Sequence, residues 1–299
     1  MTLAGHVRAF AKLVVIEHSV FALPFAYLAT LTAMWTVDGG PGTSLSDWLD
    51  WWVLALVTIA MVAGRTFAMA VNRIIDRRID ALNPRTANRE LVTGAVSLRT
   101  AYVGSGVALV LFVGSAALLN PLCLVLSPLA VIPLIVYPYG KRFTDFPHAI
   151  LALAQLVAPV GAWLAVTGTF DGFGPSVVLG AAVGLWIGGF DLIYACQDVA
   201  ADRGQGVRSF PARFGIAASL HTSTVAHVVT MGLFVWFGLL TGYGVLYWIG
   251  LVATAAVFAY EHAIVKPTDL SKLNRAFFTA NGVIGIVLFC FACADLLLR

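Results

Sequence analysis

"AVNRIIDRRIDALNPR", residues 70–85, closes a long apolar run and sets Asn72, Asp76 and Asp80 at intervals of four. Residues four apart share one face of an α-helix. A helix leaving apolar surroundings therefore carries three oxygen-bearing side chains in one column. What that column does depends on the solvent around the rest of the chain.

The 299 residues are 60% hydrophobic and 11% charged, whereas an ordinary soluble domain carries roughly 25% charged residues. With no water in a bilayer core to satisfy backbone amides, the spans must be helices or a closed barrel. The apolar runs are about 20 residues long and lack strand-like alternation, which selects helices. Runs bounded by charges, Gly or Pro fall at 13–37, 51–76, 98–119, 121–138, 148–168, 175–198, 216–241, 244–264 and 276–297. The expected fold is all-α and polytopic, with nine transmembrane helices in a single domain spanning 1–299. Only Asn120-Pro121 interrupts the stretch 98–138, which is too long for one crossing of ~30 Å, so two helices and a tight turn are expected there.

Charge orients this bundle. The connections after spans 1, 3, 5 and 7 contain no Lys or Arg, and the N-terminus and the other connections hold nearly all of them. The positive-inside rule places the basic side, with the N-terminus, in the cytoplasm and the C-terminus outside, leaving Arg299 as the one basic residue there. The formal net charge of +3 follows from membrane orientation and implies no nucleic-acid partner. No small-residue cleavage site follows span 1, so that span is expected to be retained. Cys123, Cys196, Cys290 and Cys293 all lie within spans and read as small packing residues.

A second acidic column ends span 6, where "FDLIYACQDVAADRGQGVRS" (190–209) spaces Asp191, Asp198 and Asp202 by seven and four. Both columns lie at the cytoplasmic side. A carboxylate at membrane depth costs about 2.5 to 3.5 kcal/mol even on the mild insertion scale, so the cluster needs compensation. A divalent cation supplies it: Mg²⁺ prefers oxygen ligands and typically joins one or two carboxylates to substrate phosphates. The alternative is a solvated rim in which these acids cap helices or pair with Arg77, Arg78 and Arg203. The cytoplasmic loops also bring Arg85, Arg89, Lys141, Arg142, Arg208 and Arg213 to this opening, either to hold a diphosphate or to meet anionic lipid. Lys141, Arg142 and Arg208 adjoin Gly-containing turns and are the stronger candidates for diphosphate.

Arg65 lies about three turns inside span 2 and needs a partner or a cavity: an intramembrane ion pair, an anionic substrate group, or a role in holding the metal-binding face. Glu17 and His18, at the cytoplasmic end of span 1, are placed either to hydrogen-bond an aromatic hydroxyl or carboxylate or to be solvated as a helix end. Tyr194, one turn before Asp198, lines the same cavity. His221 and His227 are six apart and share no face, so both read as structural, while His148 and His262 lack a second ligand in register.

The pair N-x-x-x-D-x-x-x-D in "NRIIDRRID" and D-x-x-Y-x-x-x-D-x-x-x-D in "DLIYACQDVAAD" resembles the two signatures of the UbiA superfamily of intramembrane prenyltransferases. "NPRTANRELVTGAVS", "YPYGKRFT" and "GVRSFPARFG" are similar to that family's cytoplasmic cap segments, in the same order. The resemblance implies a reaction in which Mg²⁺ grips a polyprenyl diphosphate, the allylic carbon–oxygen bond ionises, and an electron-rich ring captures the cation. It implies that Asn72, Asp76, Asp80, Asp198 and Asp202 bind metal and diphosphate, with Asp191 and Tyr194 near the acceptor. Some relatives carry a further acid where this chain has Ala201, which leaves a second metal's ligand set open.

"KLVVIEHSVFALPFAYLATL" (12–31) is most similar to the bacterial 4-hydroxybenzoate polyprenyltransferase-like group, including members assigned to the futalosine branch of menaquinone synthesis. The implied partners are a polyprenyl diphosphate and an aromatic acid acceptor in the bilayer, a dihydroxynaphthoate being favoured over a hydroxybenzoate, with no protein partner. Arg65 or a cap-loop Arg would pair with the acceptor carboxylate. Two other readings compete. A haem or chlorophyll-type prenyltransferase of the same superfamily shares the motifs. A cation-coupled transporter also places acids inside a bundle, but it calls for polar residues or broken helices at the midplane, and these acids lie toward one end.

Overall fold

The computed structural model describes residues 10–11, 13–14, 23–273 and 280–299. Among the described residues, nine long helices succeed one another: α1 Leu23–Asp38, α2 Trp51–Leu82, α3 Leu98–Leu119, α4 Pro121–Phe143, α5 Pro147–Thr167, α6 Gly174–Ala195, α7 Ile216–Leu240, α8 Val245–Ile264 and α9 Asn281–Leu297. No β-strand occurs among the described residues. Seven of the helices, α2 to α8, are long and apolar enough to cross a membrane. As described, α1 has 16 residues and α9 has 17, each following residues outside the description. Bulky apolar side chains such as Val110, Val125, Val245 and Val252 are exposed, as expected for a surface facing lipid.

The break expected at Asn120-Pro121 is present, and Asn120 makes it. Its Oδ1 accepts from the Cys123 amide at 2.9 Å, capping α4, while its Nδ2 donates to the carbonyls of Leu164 (2.9 Å) and Ala165 (3.3 Å) on α5. Pro121 then occupies the first helical turn, where its missing N–H costs nothing. One residue thus ends α3, starts α4 and ties both to the end of α5.

The acidic ends depart from the expected spans in two ways. α2 runs past residue 76 to Leu82, so Asp76 and Asp80 both lie on regular helix. The span expected at 175–198 does not stay α-helical to its end: it tightens into a 3₁₀ turn at Cys196–Asp198 before helix resumes at Val199–Gln205. A 3₁₀ turn rotates each residue further than an α-helix does. Asp191 and Asp198 also take different partners, His148 for the first and Asn83 with Arg85 for the second.

α6 is the central helix, buried along most of its length between α5 and α7. Its glycines allow this. A Cβ on Gly180 would come within 2.7 Å of the Leu156 carbonyl oxygen, and one on Gly184 within 2.5 Å of the Ala152 carbonyl oxygen. Small residues at four-residue spacing let two membrane helices approach backbone to backbone. Gly188 continues the row, a Cβ there lying 3.2 Å from the His148 carbonyl oxygen, so the close contact carries α5 to its first turn. On the opposite face Trp186, Phe25 and Phe234 form an aromatic core, with Phe25 and Phe234 stacked at 5.7 Å.

This packing gives a specific expectation. Gly184→Ala should lower the apparent melting temperature of the detergent-solubilised protein, because its methyl must push α5 away, a cost of about 1 to 3 kcal/mol. Gly106→Ala, with nothing within 4 Å of the new Cβ, should leave it unchanged. Equal melting temperatures for both variants would contradict the α5–α6 contact.

Candidate active site

α2 delivers Asp76 to the interior: it is fully buried. Its two oxygens are met by the end of α4, Oδ2 by Lys141 Nζ at 3.1 Å and Oδ1 by Arg142 Nη1 at 3.4 Å. Arg142 also donates to the carbonyls of Pro138 (3.0 Å) and Ile75 (2.9 Å), which lays its side chain along α2. One turn on, Asp80 Oδ1 accepts from Arg89 Nη1 at 2.6 Å. Thr86 donates to the Asp80 carbonyl at 2.9 Å and folds the 83–89 loop back onto the helix end.

The same loop crosses to the other half of the chain. Asn83 Nδ2 and Arg85 Nε donate to Asp198 Oδ1 at 2.9 and 2.8 Å, and Arg85 Nη2 reaches Asp198 Oδ2 at 2.6 Å. This is the forked, charge-assisted geometry in which arginine holds a carboxylate most strongly. Arg85 Nη1 also donates to the Tyr194 hydroxyl at 3.2 Å, with the guanidinium 5.2 Å from that ring's centroid. Burial opposes the Arg85 charge, but the hydrogen bonds and attraction of Asp198 outweigh it and hold the guanidinium pKa above its ordinary value. A cavity of about 810 Å³ opens here, lined by Asn83, Arg85, Gln197 and Asp198 among others.

Asp202 accepts from Ser209 Oγ at 2.7 Å and lies within electrostatic reach of Asp198, Lys141 and Arg85. Lys141 in turn acts on Asp198. Lys141 is thus common to both acidic ends. Asp191, deeper on α6, takes a separate partner, His148 Nδ1 at 2.6 Å. Tyr137 of α4 lies within electrostatic range of both Asp76 and Asp191.

Of the residues singled out by sequence, Asp76, Asp80, Asp198, Asp202, Tyr194, Lys141 and Arg142 come together at one end of the bundle, with Asn72 half-buried one turn before Asp76. Among the described residues, two of the neighbouring arginines bond backbone and not the acids: Arg77 donates to the Leu91 carbonyl and Arg203 to the Ala212 carbonyl. Arg208 stands slightly apart. Its side chain donates to the Phe143 carbonyl at 2.7 Å and its amide to the Lys141 carbonyl at 2.9 Å, so it holds the end of α4 in place and bonds none of the acids. Arg65 lies roughly 16 Å along α2 from Asp76, and its buried Nε finds no hydrogen-bond partner among the described residues. Glu17 and His18 lie outside the described residues.

By sequence alone Arg85 and Arg89 rank below Arg208, and His148 shows no second ligand in register. The "NPR" that follows Leu82 was the available signal for the first two, because a turn after α2 throws their side chains back over its acidic end. Nothing local marks His148, since its partner is 43 residues away.

The donor set suits a hard divalent cation. It consists of carboxylate oxygens from two helices with cations at their backs, and it contains no thiolate or imidazole at the Asp76, Asp80, Asp198 and Asp202 positions. Comparison with known proteins agrees with this architecture. Residues 27–283 match the UbiA prenyltransferase family. A 4-hydroxybenzoate solanesyltransferase of Synechocystis is 32% identical over 240 residues, covering 79% of this chain and 80% of that protein. The apo structure of a UbiA homologue from Aeropyrum pernix superposes with a TM-score of 0.82 at 33% identity, covering 94% of this chain and 98% of the other. A UbiA homologue from Archaeoglobus fulgidus, solved with DMAPP and Mg²⁺, shares the fold at 20% identity with a TM-score of 0.70, covering 96% and 98%. The chain belongs to the UbiA prenyltransferase family and is a membrane enzyme that transfers prenyl groups.

Proposed function

We propose that the protein transfers a polyprenyl group from an allylic polyprenyl diphosphate to a hydroxylated aromatic carboxylic acid in quinone biosynthesis, using Mg²⁺ held by Asn72, Asp76, Asp80, Asp198 and Asp202. The observation that carries this reading is the meeting of two acidic helix ends, from opposite halves of the chain, over one set of Lys and Arg side chains. The relatives named for 4-hydroxybenzoate transfer and the Archaeoglobus homologue bound to Mg²⁺ support it. The whole chain forms one prenyltransferase domain of nine spans, with the loops after α2, α4 and α6 as a cytoplasmic cap and the C-terminus outside.

When bound, Mg²⁺ supplies Lewis-acid stabilisation of the charge that develops on the departing diphosphate. Lys141, Arg142, Arg85 and Arg89 add fixed positive charge at the same place, and each can exchange a carboxylate oxygen for a phosphate oxygen without leaving the site. Lys141, acting on Asp76, Asp198 and Asp202, would hold a phosphate oxygen between the two acidic ends. The apolar and aromatic walls below exclude water from the allylic cation. Asp191, oriented by His148, and Tyr194 hold the ring hydroxyl of the acceptor. Arg65 lies deeper in the bundle, its buried Nε without a hydrogen-bond partner among the described residues, and pairs with the acceptor carboxylate.

Three outcomes follow from this reading. Asp76→Asn and Asp198→Asn should each lower turnover about a hundredfold or more, with normal amounts of protein in the membrane. Near-normal turnover of either purified variant in excess Mg²⁺ would contradict a shared site. In a membrane assay with farnesyl and longer diphosphates, 4-hydroxybenzoate or a dihydroxynaphthoate should be prenylated. The same ring without its carboxylate should be used roughly ten- to a hundredfold less efficiently, the cost of a lost charge-assisted hydrogen bond. Turnover of haem alone would reassign the acceptor class. Finally, in a cysteine-free background, single cysteines at positions 85 and 208 should resist an impermeant thiol reagent in intact cells, and one at position 43 should react. Labelling at position 85 would reverse the orientation.

A further inference from the structure

α6 has a second functional-looking face, turned away from Asp191 toward α7 and α8. His227 of α7 approaches α6 so closely that a Cβ on Gly189 would lie 2.6 Å from its Nε2. That nitrogen meets the Trp186 carbonyl at 3.2 Å. A carbonyl only accepts, so Nε2 carries the ring proton and Nδ1 presents a lone pair. His262 of α8 is fixed in the complementary way. Its Nδ1 faces Thr224 Oγ1 at 3.2 Å, and that hydroxyl already donates to the Leu220 carbonyl at 2.9 Å. The His262 proton is therefore on Nδ1, and its Nε2 also presents a lone pair.

These two lone-pair nitrogens point at each other across 2.8 Å. Beside them is Glu261, fully buried, whose Oε1 accepts from Asn281 Nδ2 at 3.0 Å. Its Oε2, 3.7 Å from His227 Nδ1, has no hydrogen-bond partner among the described residues. Two nitrogens and one carboxyl oxygen, all within 4.8 Å of one another, converge with both ring protons committed elsewhere. Such an arrangement needs a positive charge at its centre.

We infer that His227, Glu261 and His262 form a binding site for one divalent transition-metal ion of the zinc class, separate from the acidic site on the other face of α6. Two imidazoles and one carboxylate are a ligand set that Zn²⁺ accepts and Mg²⁺ does not favour. The outward hydrogen bonds to Trp186 and Thr224 are the kind of outer contact that fixes the tautomers of metal-binding histidines. His262, the least buried of the three near the end of α8, is the entry side. The ion would tie α7 and α8 together against α6 and, through Glu261 and Asn281, reach α9, where Asn281 Oδ1 also accepts from Trp186 Nε1 at 2.7 Å.

Co²⁺ is the direct probe, because its visible d–d absorption reports nitrogen-containing, low-coordinate sites. The untagged, chelator-stripped enzyme in detergent, with millimolar Mg²⁺ present, should take up one Co²⁺ with the appearance of these bands. One equivalent of Zn²⁺ should abolish them and raise the melting temperature. His262→Ala and Glu261→Gln should each lose the bands and the Zn²⁺-dependent melting shift, while Asp76→Asn and Asp198→Asn should keep both. His262 is only partly buried, and Glu261→Gln keeps an acceptor for Asn281, so both variants should fold, and their melting temperatures without metal verify this. Absence of the bands in the native enzyme would overturn the inference, the central charge then being a proton. So would bands that survive in both variants of this site, or bands lost in Asp76→Asn.

Discussion

Neutralising buried carboxylates at the end of a membrane bundle is the constraint on which the rest of the structure depends. Asp76 is fully enclosed and Asp80 nearly so. An ionised carboxylate in such a place is tolerated only when opposite charge and hydrogen bonds compensate for lost water. The compensation here does not come from the helices that carry the acids. It comes from elsewhere: Arg85 and Arg89 in the loop after α2, Lys141 and Arg142 in the last turn of α4, and Ser209 after the Val199–Gln205 helix. The loops are held in place by the acids, and the acids are made tolerable by the loops.

α6 connects this site to the rest of the bundle. Glycines at 180, 184 and 188 let α5 lie against its backbone and bring His148 within hydrogen-bonding distance of Asp191. Gly189 does the same on the other side for His227. The helix is thus a thin partition with a carboxylate–histidine pair on one face and a histidine–glutamate cluster on the other. Its 3₁₀ turn at Cys196–Asp198 then turns Asp198 toward Arg85 and Asn83.

Much of this was legible in the sequence, for identifiable reasons. Helices in lipid must satisfy their own backbones, so apolar length alone located α2 to α8, and Asn120-Pro121 carried both the cap and the proline that divide α3 from α4. The four-residue spacing of Asn72, Asp76 and Asp80 survived because α2 is regular through all three. The tighter turn at Cys196–Asp198 was not legible, because periodicity assumes one helix type and nothing in "YACQDVAAD" announces it. Partner identity was the other gap. Arg208 adjoins a Gly-containing turn, as Lys141 and Arg142 do, yet it is spent on the Phe143 carbonyl, and Arg85 and Arg89 take the acids instead. His227 and His262 looked isolated because a search along one helix does not see a contact between antiparallel neighbours. His148 was missed for the same reason.

The central claim is that both acidic helix ends serve a single metal–diphosphate site. Paramagnetic Mn²⁺ can stand in for Mg²⁺ and report it directly. With an unreactive farnesyl thiodiphosphate bound, the Mn²⁺ spectrum of the native enzyme should show coupling to ³¹P, and that coupling should vanish in both Asp80→Asn and Asp202→Asn, one ligand from each half of the chain. Unchanged Mn²⁺–phosphorus coupling in either variant would mean that one end holds the metal alone, and would contradict the account.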